Sequence, residues 1–181
     1  MNAYDVICES FCACPCCGLP AAHGDRIVLG RGAAVYLYPK IPPLPGLQNL
    51  KKASLYLFKL PVCRNRPIER CRFWAAPLLD FYTACCPAGT PPRVHRNLRA
   101  DFTDDPSRCV LEADVTAIAQ AWLNGEVENR GLMLSGAGCC RVSCASHRCE
   151  MAYMRPTLRL FTEDTVLCQP LRAMDCIVTT H

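Results

Sequence analysis

Ala53-Ser54-Leu55-Tyr56-Leu57-Phe58-Lys59-Leu60 alternates between the two faces of an extended chain. Leu55, Leu57 and, less cleanly, Lys59 turn to one side, the period of a half-buried β-strand, and Pro61 stops the run because it has no N–H to give a ladder. Working outward, Arg26–Leu29 and Ala33–Tyr38 read as strands around Gly30 and Gly32, and residues 41–46 form a proline-rich turn. Downstream, Cys71–Trp74, Leu78–Thr83, Val94–Phe102, Cys109–Ala113, Gly131–Ser135, Thr157–Phe161, Thr165–Leu167 and Cys176–Thr179 are further short strands. Only Asp114–Leu123 has helical spacing, with Val115, Ile118, Ala119 and Trp122 on one face, Asp114 as N-cap and Asn124-Gly125 as stop. Many short strands and one short helix predict an all-β fold: an antiparallel, jelly-roll-like β-sandwich with a cysteine-rich N-terminal tail. Residues 1–20 are expected to be an arm, either an inter-subunit connector or a first strand, and residues 21–181 the sandwich.

The totals narrow the function classes. A chain of 181 residues is long enough for one real core. Its 51% hydrophobic and 20% charged content is that of a folded protein. The net charge of +4 is scattered, with no basic run, so nucleic acid is not an expected partner. No run reaches the ~18 apolar residues of a membrane span. Cysteine is the outlier, at sixteen residues. That load belongs to an oxidising compartment, yet Met1–Pro20 lacks the basic start and unbroken apolar run of a signal peptide. The expected location is therefore extracellular, or a cell or spore surface reached by lysis of the producing cell, without a recognisable signal peptide.

No catalytic constellation stands out. His23, His95, His147 and His181 are far apart in sequence, and there is no phosphate-binding or dinucleotide fingerprint. Asp101, Asp104 and Asp105 lack the spacing of a calcium loop and read as a solvated turn. Neither an enzyme nor a cofactor is expected. For metal, Cys14-Pro-Cys-Cys17-Gly18 is half a zinc knuckle, so Cys14 and Cys17 are the ligands if zinc is bound at all. The second half is missing. Disulfides suit the other thiols: adjacent cysteines in an extended segment point to opposite sides, so one can bond inward and its neighbour outward. Cys8, Cys12, Cys14, Cys16, Cys17, Cys85, Cys86, Cys139, Cys140, Cys144 and Cys149 are the cross-linking candidates, and internal pairing of all sixteen is the alternative.

Asp114, Thr116, Trp122, Gly125, Asn129 and Gly131, followed by Arg155-Pro156-Thr157-Leu158, resemble the second half of the DNRLRE-type β-sandwich domain, which is similar in turn to the propeptide fold of transforming growth factor precursors. Ile41-Pro42 and Lys52–Leu57 resemble its earlier segment. The chain departs from that pattern in lacking the acidic-basic segment that gives the family its name, and in carrying cysteines over 139–149. The resemblance implies a surface protein, since members include stand-alone proteins and carbohydrate-binding modules. The leading expectation is a structural subunit that binds copies of itself through inter-subunit disulfides in an extracellular fibre, appendage or spore coat. The alternative is a carbohydrate-binding or adhesive module with polysaccharide as partner, using Tyr36, Tyr38 and Trp74. Trp122 is read as a lid over the sandwich.

Overall fold

The computed structural model describes residues 2–13, 20–21, 24–30, 32–43, 49–61, 71–82, 91–137 and 141–163. Among these are eleven strands: β1 (Asn2–Ala13), β2 (Pro20–Ala21), β3 (Arg26–Leu29), β4 (Ala34–Pro39), β5 (Leu50–Phe58), β6 (Arg72–Pro77), β7 (Ala100–Thr103), β8 (Val110–Asp114), β9 (Leu132–Gly136), β10 (Val142–Ala145) and β11 (Thr157–Thr162). One α-helix, α1 (Thr116–Leu123), follows β8. All pairings are antiparallel and run β7-β6-β9-β4-β1-β11-β5-β8, with β2 on the flank of β1 and β3-β10 as a separate ribbon. Edge strands β7 and β8 come side by side, so the sheet is nearly closed as a barrel. The all-β expectation holds.

β1 is what joins the two faces. Its first half, Asn2–Ile7, pairs with β11, whereas Cys8–Ala13 pairs with β4. The strand therefore starts in a front sheet (β1-β11-β5-β8) and ends in a back sheet (β1-β4-β9-β6-β7). Of the two expectations for the N-terminal arm, the structure makes residues 2–13 a strand, paired with β11 over its first half and with β4 over its second. The strand is hard to see in the sequence because its buried positions, Val6, Cys8 and Ser10, are too small and polar to look like a core stripe.

Between the sheets, Leu55, Leu57, Leu111, Leu158 and Leu160 of the front face meet Val35, Leu37, Phe73, Leu132 and Leu134 of the back, all at 0–1% exposure. Each such side chain contributes about 1.5–3 kcal/mol by leaving water. The β3-β10 ribbon adds Ile27, Leu29 and Val142 to the core and is tied to the end of β5 by the bridge Lys59–Cys144. Two expected strands, Leu78–Thr83 and Val94–Phe102, are shorter or less regular than expected. Leu78 makes a single bridge to Val94, and the chain turns over residues 96–98, so regular pairing there begins only at Ala100. Proline explains part of this, since Pro77, Pro91 and Pro92 lack ladder donors. Thr83, Thr165–Leu167 and Cys176–Thr179 lie outside the described residues.

The helix starts later than its sequence suggests. Asp114 closes β8 opposite Ser54, and Val115 is the N-cap residue, with its side chain in the core. Asp114 still serves the turn: Oδ1 accepts hydrogen bonds from the Thr116 N–H (3.0 Å) and hydroxyl (2.6 Å), which hold its carboxyl below the usual range. Trp122 is buried at 8% exposure, as a lid should be, and its Nε1 has no hydrogen-bond partner. Among the described residues, no helix is long and apolar enough to cross a membrane.

Candidate functional site

The outward face of the front sheet is a groove of about 720 Å³, within the range of small-molecule sites. Strand register builds its floor. Ile7, Thr157, Tyr56 and Glu112 stand opposite one another on β1, β11, β5 and β8, and Asp5, Arg159 and Ser54 form the next row. Phe58 and Val110 complete it. These are the alternate positions of the same strands whose inward residues make the core, so period two divides each strand between fold and site.

Two irregular segments wall the floor. One is Ser107–Cys109, in the turn between β7 and β8. The other is a one-turn 3-10 helix, Ala152–Met154, just before β11. A buried ion pair anchors the first wall. Lys59 Nζ lies 2.8 Å from Asp104 Oδ1, both side chains about 5% exposed or less, and also donates to the Asp105 carbonyl at 2.7 Å. Asp105 Oδ1 then accepts from the Ser107 N–H (3.0 Å) and hydroxyl (2.7 Å), folding the turn over. This corrects the solvated-turn reading for Asp104, which is 3% exposed. Asp101 is exposed, paired with Arg99.

The second wall is held from β1. The Ser10 N–H donates to His147 Nδ1 at 3.1 Å, and the His147 N–H donates to Ser10 Oγ at 2.9 Å. This reciprocal clamp joins residues 137 apart. It is also a serine–histidine contact, with Ser10 Oγ 3.2 Å from Nδ1. A nucleophile needs a base free to take its proton and an accessible hydroxyl. Here Nδ1 already receives a backbone N–H and Ser10 is 5% exposed, so the pair reads as a lock. Arg155 Nε donates to the Cys149 carbonyl at 2.9 Å and closes the segment.

Electrostatically the groove is two linked pairs. Arg159 forks onto Asp5 (2.6 and 2.7 Å), which holds the Asp5 carboxyl below its usual range and raises Arg159. The same guanidinium lies 5.5 Å from the Tyr56 ring. Glu112 Oε1 accepts from Ser54 (3.2 Å), Tyr56 (3.3 Å) and Lys52 (3.4 Å), with Arg108 3.9 Å away. On the wall, Tyr153 is 70% exposed and stands edge-on to Phe58, ring centroids 6.2 Å apart. Sequence reading missed these residues because they come from four strands and two turns. The signal present was the outward row Ser54, Tyr56, Phe58 of the strand that decided the fold.

The expected sites fare differently. Tyr36, one of the aromatic residues assigned to sugar, is 2% exposed, stacked on Phe11 (4.9 Å) and covered by Tyr82 (4.6 Å). Tyr38 joins the same stack and its hydroxyl donates to the Tyr82 carbonyl. Trp74 lies on the back sheet under the Arg99 guanidinium, 5.0 Å away. Among the cross-linking candidates, Cys8 and Cys144 are 0% exposed and Cys149 is 8% exposed. These three cross-linking candidates stand at buried positions of the fold. Cys12 lies in β1, and Cys14, Cys16, Cys17, Cys85, Cys86, Cys139 and Cys140 lie outside the described residues. The exposed free thiol among the described residues is Cys109, on the groove wall. No group of described residues is arranged to hold a metal ion.

Asn129, Gly131, Gly125 and Pro156, singled out in the sequence, have structural work. Asn129 Nδ2 donates to the Pro39 carbonyl (3.0 Å) while its Oδ1 accepts the Gly131 N–H (3.2 Å). Gly131, at φ 98°, packs where a Cβ would meet the Leu37 carbonyl at 2.7 Å. Gly125 turns the chain out of α1 at φ 74°. Buried Pro156 supplies the carbonyl that takes the Cys8 N–H at 2.8 Å, at the point where β1 changes sheets. No protein-family model matches the chain, and no curated protein matches it significantly.

Proposed function

We propose that this protein is a non-catalytic recognition module of an extracellular or cell- or spore-surface protein, and that the front-sheet groove is its carbohydrate-binding site. One observation carries the reading: aromatic rings and hydrogen-bonded charged pairs share a single open face. Pyranose rings offer apolar C–H faces to aromatic side chains and hydroxyls to paired carboxylates and guanidinium groups, the mix of apolar lining and placed polar groups typical of ligand sites. The resemblance of residues 114–158 to DNRLRE-type domains, held here as a proposal, is consistent with it. A polysaccharide and oligosaccharide array probed with the purified protein tests the reading. Binding to at least one glycan class is expected, and silence across the array sinks it.

A second reading keeps a specific observation of its own. Sixteen cysteines, with Cys109 exposed as a free thiol, favour a disulfide-reinforced structural subunit that assembles with copies of itself. Oxidised protein then runs as a reductant-sensitive ladder. A single band at 20.0 kDa without reductant removes covalent assembly.

A further inference from the structure

We propose that the groove selects uncharged glycans, with Tyr153 as stacking platform and the Asp5–Arg159 pair as a reader of hydroxyl groups; this rests on the carbohydrate reading above. Charge is the first argument. The groove lining holds two carboxylates, Asp5 and Glu112, and two guanidinium groups, Arg108 and Arg159. The carboxylates and guanidinium groups are already matched to each other, Asp5 to Arg159 at 2.6 Å and Glu112 to Arg108 at 3.9 Å, and Lys52, which reaches Glu112 at 3.4 Å from outside the lining, is offset by the nearby Asp114 carboxylate. Neither a polyanion nor a polycation finds an unbalanced opposite charge there, and a like-charged group on the ligand would meet one of each sign. Uncharged hydroxyls carry no such penalty and find acceptors and donors held in place before binding.

Backbone geometry is the second argument, and it sets glycan above peptide. The floor is the outward side-chain face of β1, β11, β5 and β8, so a ligand seated on it meets side chains and not the N–H and C=O rows, which lie in the plane of the sheet. An extended peptide recognised by strand addition needs a sheet edge, which lies beside β1 or β8 and not on this face. Side chains must do the binding. Tyr153 is suited to it: 70% exposed, its ring perpendicular to that of Phe58 and its hydroxyl donating to Met151 Sδ at 3.0 Å, so the ring is presented to solvent without being part of the core. Thr157 lies between Ile7 and Tyr56 in the row below.

The test is affinity electrophoresis of the full chain through gels containing a mixed-linkage β-glucan, galactomannan, polygalacturonate or heparin, with gelatin as a peptide control, each at low and high salt. Retardation by a neutral polysaccharide that salt leaves unchanged is expected. Y153A should weaken it about 10-fold and Y153F should restore it. Because Tyr153 is exposed, Y153A should keep the wild-type unfolding midpoint, which separates lost binding from lost fold. Retardation by polygalacturonate or heparin alone, falling steeply with salt, overturns the neutral-glycan assignment while leaving a carbohydrate module standing. Retention by gelatin and no glycan assigns the groove to peptide and overturns both. Neutral-glycan binding that survives Y153A but is lost in W74A moves the site to the back sheet and overturns the groove.

Discussion

Cys8 shows how one side chain can change meaning with its surroundings. In sequence it is the first of five clustered thiols; in the fold it has 0% exposure at the point where β1 leaves one sheet for the other. Burial pushes its thiol up to about 12, since the thiolate would lose its hydration. The thiolate is the reactive form, so Cys8 is inert in the native state. Brief alkylation followed by peptide mapping should label Cys109 in native protein and Cys8 only after denaturation; native labelling of Cys8 would show that β1 opens readily. The pH dependence has a definite sign. A thiol whose folded value is raised gives stability below its unfolded value of about 9.0, and that contribution is lost as pH climbs from there towards about 12. Urea midpoints of wild type and C8A should therefore converge in alkali relative to neutral pH.

Among elements, the β7–β8 turn depends on Lys59. The strand that carries it is apolar on the same face at Ala53, Leu55 and Leu57, so the ammonium enters a site that would be hostile without Asp104 and the Asp105 carbonyl. Removing one partner leaves the other charge buried alone, at a cost of about 3–5 kcal/mol, whereas replacing both with apolar groups is often close to neutral. D104A and K59M should each lower the urea-unfolding free energy by roughly that amount, and K59M/D104L should recover most of the loss. If both single variants are as stable as wild type, the pair does not anchor the groove wall. The second wall depends on a longer-range contact, the Ser10–His147 clamp, which no local pattern announces.

For the whole molecule, the decisive feature is that β1 belongs to both sheets. An N-terminal arm used as a detachable connector would permit deletion without unfolding. Removing Asn2–Ala13 from this fold instead takes out the strand that joins the two sheets, exposes the edges of β4 and β11, and removes Val6 and Cys8 from the core. The truncated chain is expected to lose cooperative thermal unfolding and to aggregate through those edges. A truncated protein with a sharp transition near that of the full chain would show that β1 is dispensable. The same architecture gives the groove its rigidity, because the strands of its floor are also the strands of the core.

The fold class was legible in the residues because period two is a local property: Ala53–Leu60 needs no neighbour to show which side faces inward. The turns were legible too, with Gly30, Gly32 and Gly125 standing where the backbone takes positive φ. β1 was legible only as one of two readings of the N-terminal arm, since small and polar side chains at its buried positions carry little hydrophobic signal. The site was not legible. Asp5 and Arg159 are 154 residues apart, and what brings them to 2.6 Å is the pairing of the N-terminal strand with the last described one. Local chemistry sets which side of each strand meets water, while long-range register sets which of those outward residues become neighbours, and recognition depends on the second.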